Sequence, residues 1–198
     1  MSSDIFTALV IFAFVSSVTP GPNNLMLMAS GANFGVWRTV PHMLGISCGF
    51  GLMVLLVGVG LIRVFDTFPL VYTVLKILSL GYLLFLAWKI AQAQPLGQGR
   101  GAARPMTFLQ AASFQWVNPK AWSMALTAIS LYAPDASLRA FALVAAVFVV
   151  VNLPSVMLWA MMGRQLARLL QAPKRLRVFN WGMAALLIAS TLPAILPG

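Results

Sequence analysis

The chain has 198 residues, 61% hydrophobic and only 8% charged, with a mean hydropathy of +0.91. Soluble domains carry about a quarter charged residues, so water is excluded as the solvent for most of this chain. The net charge of +10 does not mark a nucleic-acid binder, because the 13 basic residues follow the ends of apolar runs and do not gather into one soluble basic face.

Five long stretches contain no Asp, Glu, Lys or Arg: 5 to 37, 39 to 62, 105 to 119, 140 to 163 and 178 to 198. Several exceed the roughly 20 apolar residues that cross the hydrocarbon of a bilayer. Cutting at charges, Pro and Gly predicts an all-α membrane protein of six transmembrane helices, over about 4 to 27, 39 to 62, 69 to 90, 108 to 131, 138 to 162 and 177 to 196. The first run lacks the basic n-region and cleavage site of a secretory signal, so it is expected to stay as a helix.

Late in the first span stands Thr19-Pro20-Gly21-Pro22-Asn23-Asn24. Pro20 and Pro22 remove two backbone donors and Gly21 relaxes the chain between them, which predicts a broken helix. Broken backbone inside a membrane is tolerated only where it is buried in protein or lines a watery cavity. Thr19, Asn23 and Asn24 either cap the following half-helix or bind a polar ligand; the bland alternative is a simple kink near the end of the span.

In the second span, Gly45-Ile46-Ser47-Cys48-Gly49 reads as a small-residue face for close helix packing, with Cys48 as a packed small residue. A single cysteine excludes an internal disulfide and a Cys-based zinc site. His42, the only histidine, stands beside Pro41 at the end of this span and reads as an interfacial residue of no special role. Lys76 in the third span has the length to snorkel to the nearer face.

The stretch from Gln92 to Arg104 reads as a solvated loop between two halves. Residues 1–91 are then a first three-helix repeat, 92–107 a cytoplasmic loop and 108–198 a second three-helix repeat. The second half opens with Gln115-Trp116-Val117-Asn118-Pro119-Lys120, a further predicted break. Asn118 lies about ten residues into the fourth span, or roughly 15 Å at the helical rise. Lys120 is then an ionisable group inside the membrane, which costs a few kcal/mol unless paired or hydrated. It is a functional candidate, or a structural cation held by carbonyls freed at one of the breaks. In the fifth span, Asn152-Leu153-Pro154-Ser155 offers another polar break, either a Pro kink or a substrate-lining wall.

Nine basic residues fall on one side of these spans (Arg38, Lys89, Arg100, Arg104, Arg164, Arg168, Lys174, Arg175, Arg177) and two on the other (Arg63, Arg139), which makes the first side cytoplasmic and both termini periplasmic. Three spans per half reverse the direction of the second half, the geometry of an inverted repeat with broken first helices. Transporters of that design bind substrate between the repeats; helix N-termini attract carboxylates and free carbonyls attract ammonium groups, which suits an amino acid. No Asp or Glu lies deep in a span, and no nucleotide loop, hydrolase motif, cofactor signature or metal-ligand pair occurs.

Thr19-Pro20-Gly21-Pro22 resembles the signature of the LysE/RhtB amino-acid exporter family, compact six-helix efflux proteins. Gly31, Gly35 and Gly45 to Gly49 look like its glycine-rich first loop and second helix, Lys76 with Tyr82-Leu83 like the motif of its third helix, and Asn118-Pro119-Lys120-Ala121 like its second signature. Thr19 to Asn24, Ala87 to Ala91 and Phe114 to Asn118 look closest to the subgroup exporting cysteine and O-acetylserine, although Ser79 and Ala87 stand where many relatives carry Gly. The resemblance implies export of an amino acid across the bacterial inner membrane, driven by the proton gradient. The expected site is Thr19, Pro20, Gly21, Pro22, Asn23, Asn24, Gln115, Asn118, Pro119 and Lys120, with Asn152 and Ser155 as a wall. The expected partners are the amino acid and the lipid bilayer, with a second copy if the glycine faces pack between protomers and not inside one; the alternative function is a passive channel or non-transporting membrane subunit.

Overall fold

A computed structural model of the chain describes residues 2–61, 69–93, 104–170 and 172–195. Arg63, Asp66, most of the loop from Gln92 to Arg104 and the side chain of Lys76 lie outside the described part. The described elements are all helical: α1 (Ser3–Val18), α2 (Pro22–Phe34), α3 (Val36–Leu56, prolonged by a wider turn over Val57–Leu61), α4 (Pro69–Ala91), α5 (Phe108–Phe114), α6 (Pro119–Tyr132), α7 (Leu138–Ala167) and α8 (Pro173–Ile195). A short tight turn, Gln115–Val117, joins α5 toward α6.

Local chemistry sets these boundaries. The Ser2 hydroxyl caps α1 through Ile5 N at 3.4 Å, and the Ser137 hydroxyl caps α7 through Ala140 N at 3.1 Å. Thr107 and Gln110 form a reciprocal capping box on α5. Pro22 and Pro119 open α2 and α6, where the missing N–H costs nothing.

Val36–Gly60 and Leu138–Ala167 are long and apolar enough to cross a membrane, and α1 with α2 forms a third such unit bent by 56°. The helical structure of this region is therefore longer than its sequence pattern suggested. It continues past its break to Phe34, so Gly31 lies in a helix and not in a loop. Only Gly35 separates α2 from α3, at φ 79°, a left-handed value that glycine adopts without a Cβ clash.

Helix α7 packs along α1, α2 and α3, while α4 packs on α8. Small residues make the closest approaches possible. A Cβ on Gly31 would stand 2.0 Å from the Ala160 carbonyl oxygen, and one on Gly163 2.0 Å from that of Met28. Gly45 and Gly49 let α3 approach α5 in the same way, at Phe108 and Ala112. These glycine faces are thus used within one chain, which removes the sequence argument for a second copy.

Two large apolar clusters and a small one of Leu25, Ala29 and Met183 fill the interior among the described residues. One large cluster, around Leu27, Ile46, Phe114 and Leu187, draws chiefly on α2 to α5, α7 and α8; the other, around Leu9, Met53, Val144 and Phe148, draws on α1, α3, α6 and α7. Outward positions are apolar as well, including Trp37 at 81% and Leu70 at 74% exposure. Such a surface suits hydrocarbon contact.

Three expectations are corrected here. Cys48 is exposed, because it falls on the outward strip of α3 with Pro41, Leu44 and Leu52 at helical spacing. His42 is not interfacial: it is 1% exposed. Pro154 does not break the fifth span, since α7 runs unbroken through it; neighbours on several sides hold the helix, as is usual for proline in membrane helices.

Alanine normally favours a helix over glycine by about 1 kcal/mol. At Gly163 the sign reverses. Gly163→Ala is expected to destabilise by about 1–3 kcal/mol through overpacking, while Gly182→Ala, with nothing within 4 Å of its added Cβ, leaves stability unchanged or slightly raised. Unfolding in detergent, followed by far-UV circular dichroism, checks both.

Candidate functional site: a polar cleft at two helix breaks

After Val18 the chain leaves the helix, with Thr19 extended at φ −64°, ψ 144° and Gly21 fully extended at φ −179°, ψ 177°. The two prolines offer no N–H, so the last carbonyls of α1 depend on side chains. All four from Ser17 to Pro20 receive one. The Asn24 amide donates to Ser17 O and Thr19 O, both at 2.8 Å. The Trp159 indole donates to Val18 O at 3.0 Å. Lys120 Nζ donates to Thr19 O at 2.7 Å, Thr19 Oγ1 at 2.9 Å and Pro20 O at 3.3 Å.

The second break is built differently. Residues 115–117 tighten into a 3₁₀ turn, Asn118 is extended at φ −95°, ψ 108°, and its Oδ1 accepts the Lys120 N–H at 3.2 Å to cap α6. Gln115 is fully buried. Its amide pairs reciprocally with that of Asn23, at 2.8 and 3.2 Å, and also donates to Ala111 O at 2.8 Å. Two sequence-distant breaks are thereby joined by one cation clamp and one amide pair.

Gly21 matters for space and not for backbone conformation, since any residue adopts its extended φ. A Cβ there would meet Lys120 Cδ at 2.7 Å. The lysine stem therefore lies directly over Gly21. On α7, Asn152 donates to Ser17 Oγ at 3.1 Å and accepts from Ser47 Oγ at 2.9 Å, tying α1, α3 and α7 together.

These groups surround a small cleft lined by Ser16, Ser17, Gly21, Asn23, Asn24, Gln115, Asn118, Lys120 and Asn152, with Phe50, Ala121, Met124 and Val156 as its apolar part. Lys120 is the one charged residue in this lining. Among the residues expected from sequence, Thr19 and Pro20 present carbonyls to Lys120, while Pro22 and Pro119 set the starts of α2 and α6. Ser155 is not brought to the cleft: its hydroxyl bonds Val151 O in its own helix at 2.9 Å. Among the described residues no group of His, Cys, Asp or Glu is arranged to hold a metal ion.

Three contributors were not among the site residues expected from sequence. Ser17 receives Asn152; a Ser16-Ser17 pair just before Thr19-Pro20 was a visible signal. Trp159 lies seven residues, or two turns, beyond Asn152 on one face of α7. Ser47 read only as a packing residue, because nothing local marks the partner that reaches it from α7.

A cation and several amides thus surround a cleft at two helix breaks within an apolar helical bundle. Comparison with known proteins identifies the class of protein. The family described as LysE type translocator matches residues 14–195, so the chain belongs to the LysE family of amino-acid efflux transporters and is not an enzyme. A cysteine/O-acetylserine efflux protein of Klebsiella pneumoniae subsp. pneumoniae is 29% identical over 197 residues, covering 95% of each chain. The protein of that name in Escherichia coli strain K12 is 30% identical over 135 residues, covering 67% of each. No solved structure matches.

The amide pair gives a direct test. Asn23→Ala, Gln115→Ala and the double variant are expected to show a coupling of about 1 kcal/mol in unfolding free energy, the net worth of a paired buried amide. Strict additivity in detergent unfolding contradicts the contact.

Proposed function

We propose that this chain exports small amino acids from the cytoplasm across the bacterial inner membrane, with cysteine and O-acetylserine the first substrates to try. The observation that carries the proposal is the clamp of Lys120 onto Thr19 and Pro20. A substrate carboxylate binds an ammonium more strongly than a neutral carbonyl does. An amino acid in the cleft thus competes for Lys120, while the released carbonyls and the Asn23, Asn118 and Asn152 amides accept its ammonium group. Substrate binding and opening of the clamp become one event. The Cys/O-acetylserine efflux names of the relatives support this substrate class.

Counting each broken pair as one span gives six: α1 with α2, α3, α4, α5 with α6, α7 and α8. Each half then opens on a broken span, which supports two inverted three-helix repeats. The nine-to-two distribution of basic residues supports an orientation with Lys89, Arg104 and Arg164 toward the cytoplasm and both termini toward the periplasm. Alternating rocking of the halves about the cleft moves substrate outward, driven by the proton gradient, with Lys120 as the coupling group. The exposed apolar belt is the lipid contact.

Cells expressing the chain are expected to release at least one of labelled cysteine, O-acetylserine, threonine, leucine or lysine faster than cells without it. Asn118→Ala should slow that release severalfold. In proteoliposomes with an imposed proton gradient, Lys120→Ala should abolish concentrative export; efflux and coupling left intact would remove Lys120 from the mechanism.

A further inference from the structure

A second cavity lies apart from the break site, between α2, α3, α4 and the segment that leads into α5. It shares no lining residue with the central cleft. Two cations line it, Lys89 near the end of α4 and Arg104 before α5, and none of its lining residues is acidic. His42 also lines it. That side chain is 1% exposed, and neither ring nitrogen has a hydrogen-bond partner.

These features share one explanation. A neutral imidazole carries one donor and one acceptor, and a buried polar atom left unpaired costs about 1–3 kcal/mol. The cavity's other deep polar groups are already engaged: Ser30 with Thr39 at 2.8 Å, and Asn33 with Ala29 O and Asn180, both at 2.8 Å. His42 thus keeps unused hydrogen-bonding capacity in the cavity wall, while Lys89 and Arg104 supply positive charge without a lining counter-charge. The remaining wall is largely apolar, including Met26, Leu86 and Met106.

We propose that this cavity is a second binding site, taking a small carboxylate with a short apolar body. The carboxylate meets Lys89 and Arg104, and a polar atom of the ligand reaches His42. A lone ammonium is rejected, because two cations repel it and no acid receives it. On the proposed orientation the cavity lies at the cytoplasmic end, where a departing substrate meets it before the cleft. That placement rests on the export reading; carboxylate binding does not.

The test is equilibrium binding of labelled propionate to the purified full chain in neutral, lipid-free detergent, with propylamine, inorganic phosphate and phosphatidylglycerol as competitors. Propionate is expected to bind, and Lys89→Gln with Arg104→Gln is expected to weaken it at least about tenfold, the loss of roughly one charge-assisted contact. His42→Phe should weaken it too, and propylamine should not compete. The Lys and Arg variants alter partly or fully exposed positions, so they keep the test valid should His42→Phe fail to fold. Unchanged affinity in the double variant overturns the site, as does equal displacement by phosphate, which marks an unselective anion patch. Binding of phosphatidylglycerol without propionate overturns it in favour of a lipid headgroup. Absence of amino-acid efflux with propionate binding intact supports the cavity while removing the export reading.

Discussion

In hydrocarbon a carbonyl that loses its helical donor finds no water to replace it, and that constraint governs the first break of this protein. Four consecutive carbonyls, Ser17 to Pro20, are served by Asn24, Trp159 and Lys120. Those donors come from α2, α7 and α6. Breaking one helix therefore obliges three others to converge on it, and the architecture around α1 follows from meeting that demand. Gly21 leaves room for the Lys120 stem, and Gly31 and Gly163 let α7 close on α2. Asn152 then holds Ser17 and Ser47 from the same side.

The arrangement has a functional consequence. Asn24 and Lys120, which stabilise the break, also line the cleft, so in the proposed mechanism an entering polar ligand competes with structural bonds. A charge-assisted hydrogen bond is about twice as strong as a neutral one, which gives a carboxylate the advantage over Thr19 and Pro20 carbonyls for Lys120. The amide pair of Asn23 and Gln115 is less exchangeable, since both partners are largely enclosed and each serves the other. In the proposed mechanism Lys120 is the part of the junction that responds to substrate, and the amide pair the part that persists as a pivot.

The breaks themselves were legible in sequence, because proline chemistry is local: Pro20, Pro22 and Pro119 each remove a donor wherever the chain goes. The role of Lys120 was legible in part; an intramembrane cation has few solutions, and carbonyls freed at a break were one of them. The register of α2 was not readable, because Leu25 to Phe34 lacks a charge to mark an end and only the φ of Gly35 supplies one. Pro154 misled for the opposite reason. Its local chemistry is that of a break, but packing on α1, α2 and α3 holds α7 together. His42 and Ser47 stayed hidden because burial and long-range partners are tertiary facts.

The junction of the two breaks is tested most directly by placing cysteines at Asn23 and Gln115 in a chain whose Cys48 is replaced by Ala, with a protease site inserted between residues 94 and 103. A short bifunctional thiol reagent should hold the two proteolytic halves together on a denaturing gel, and a cleavable reagent should release them on reduction. Halves that separate after treatment, although both thiols have reacted, would show that the breaks do not meet.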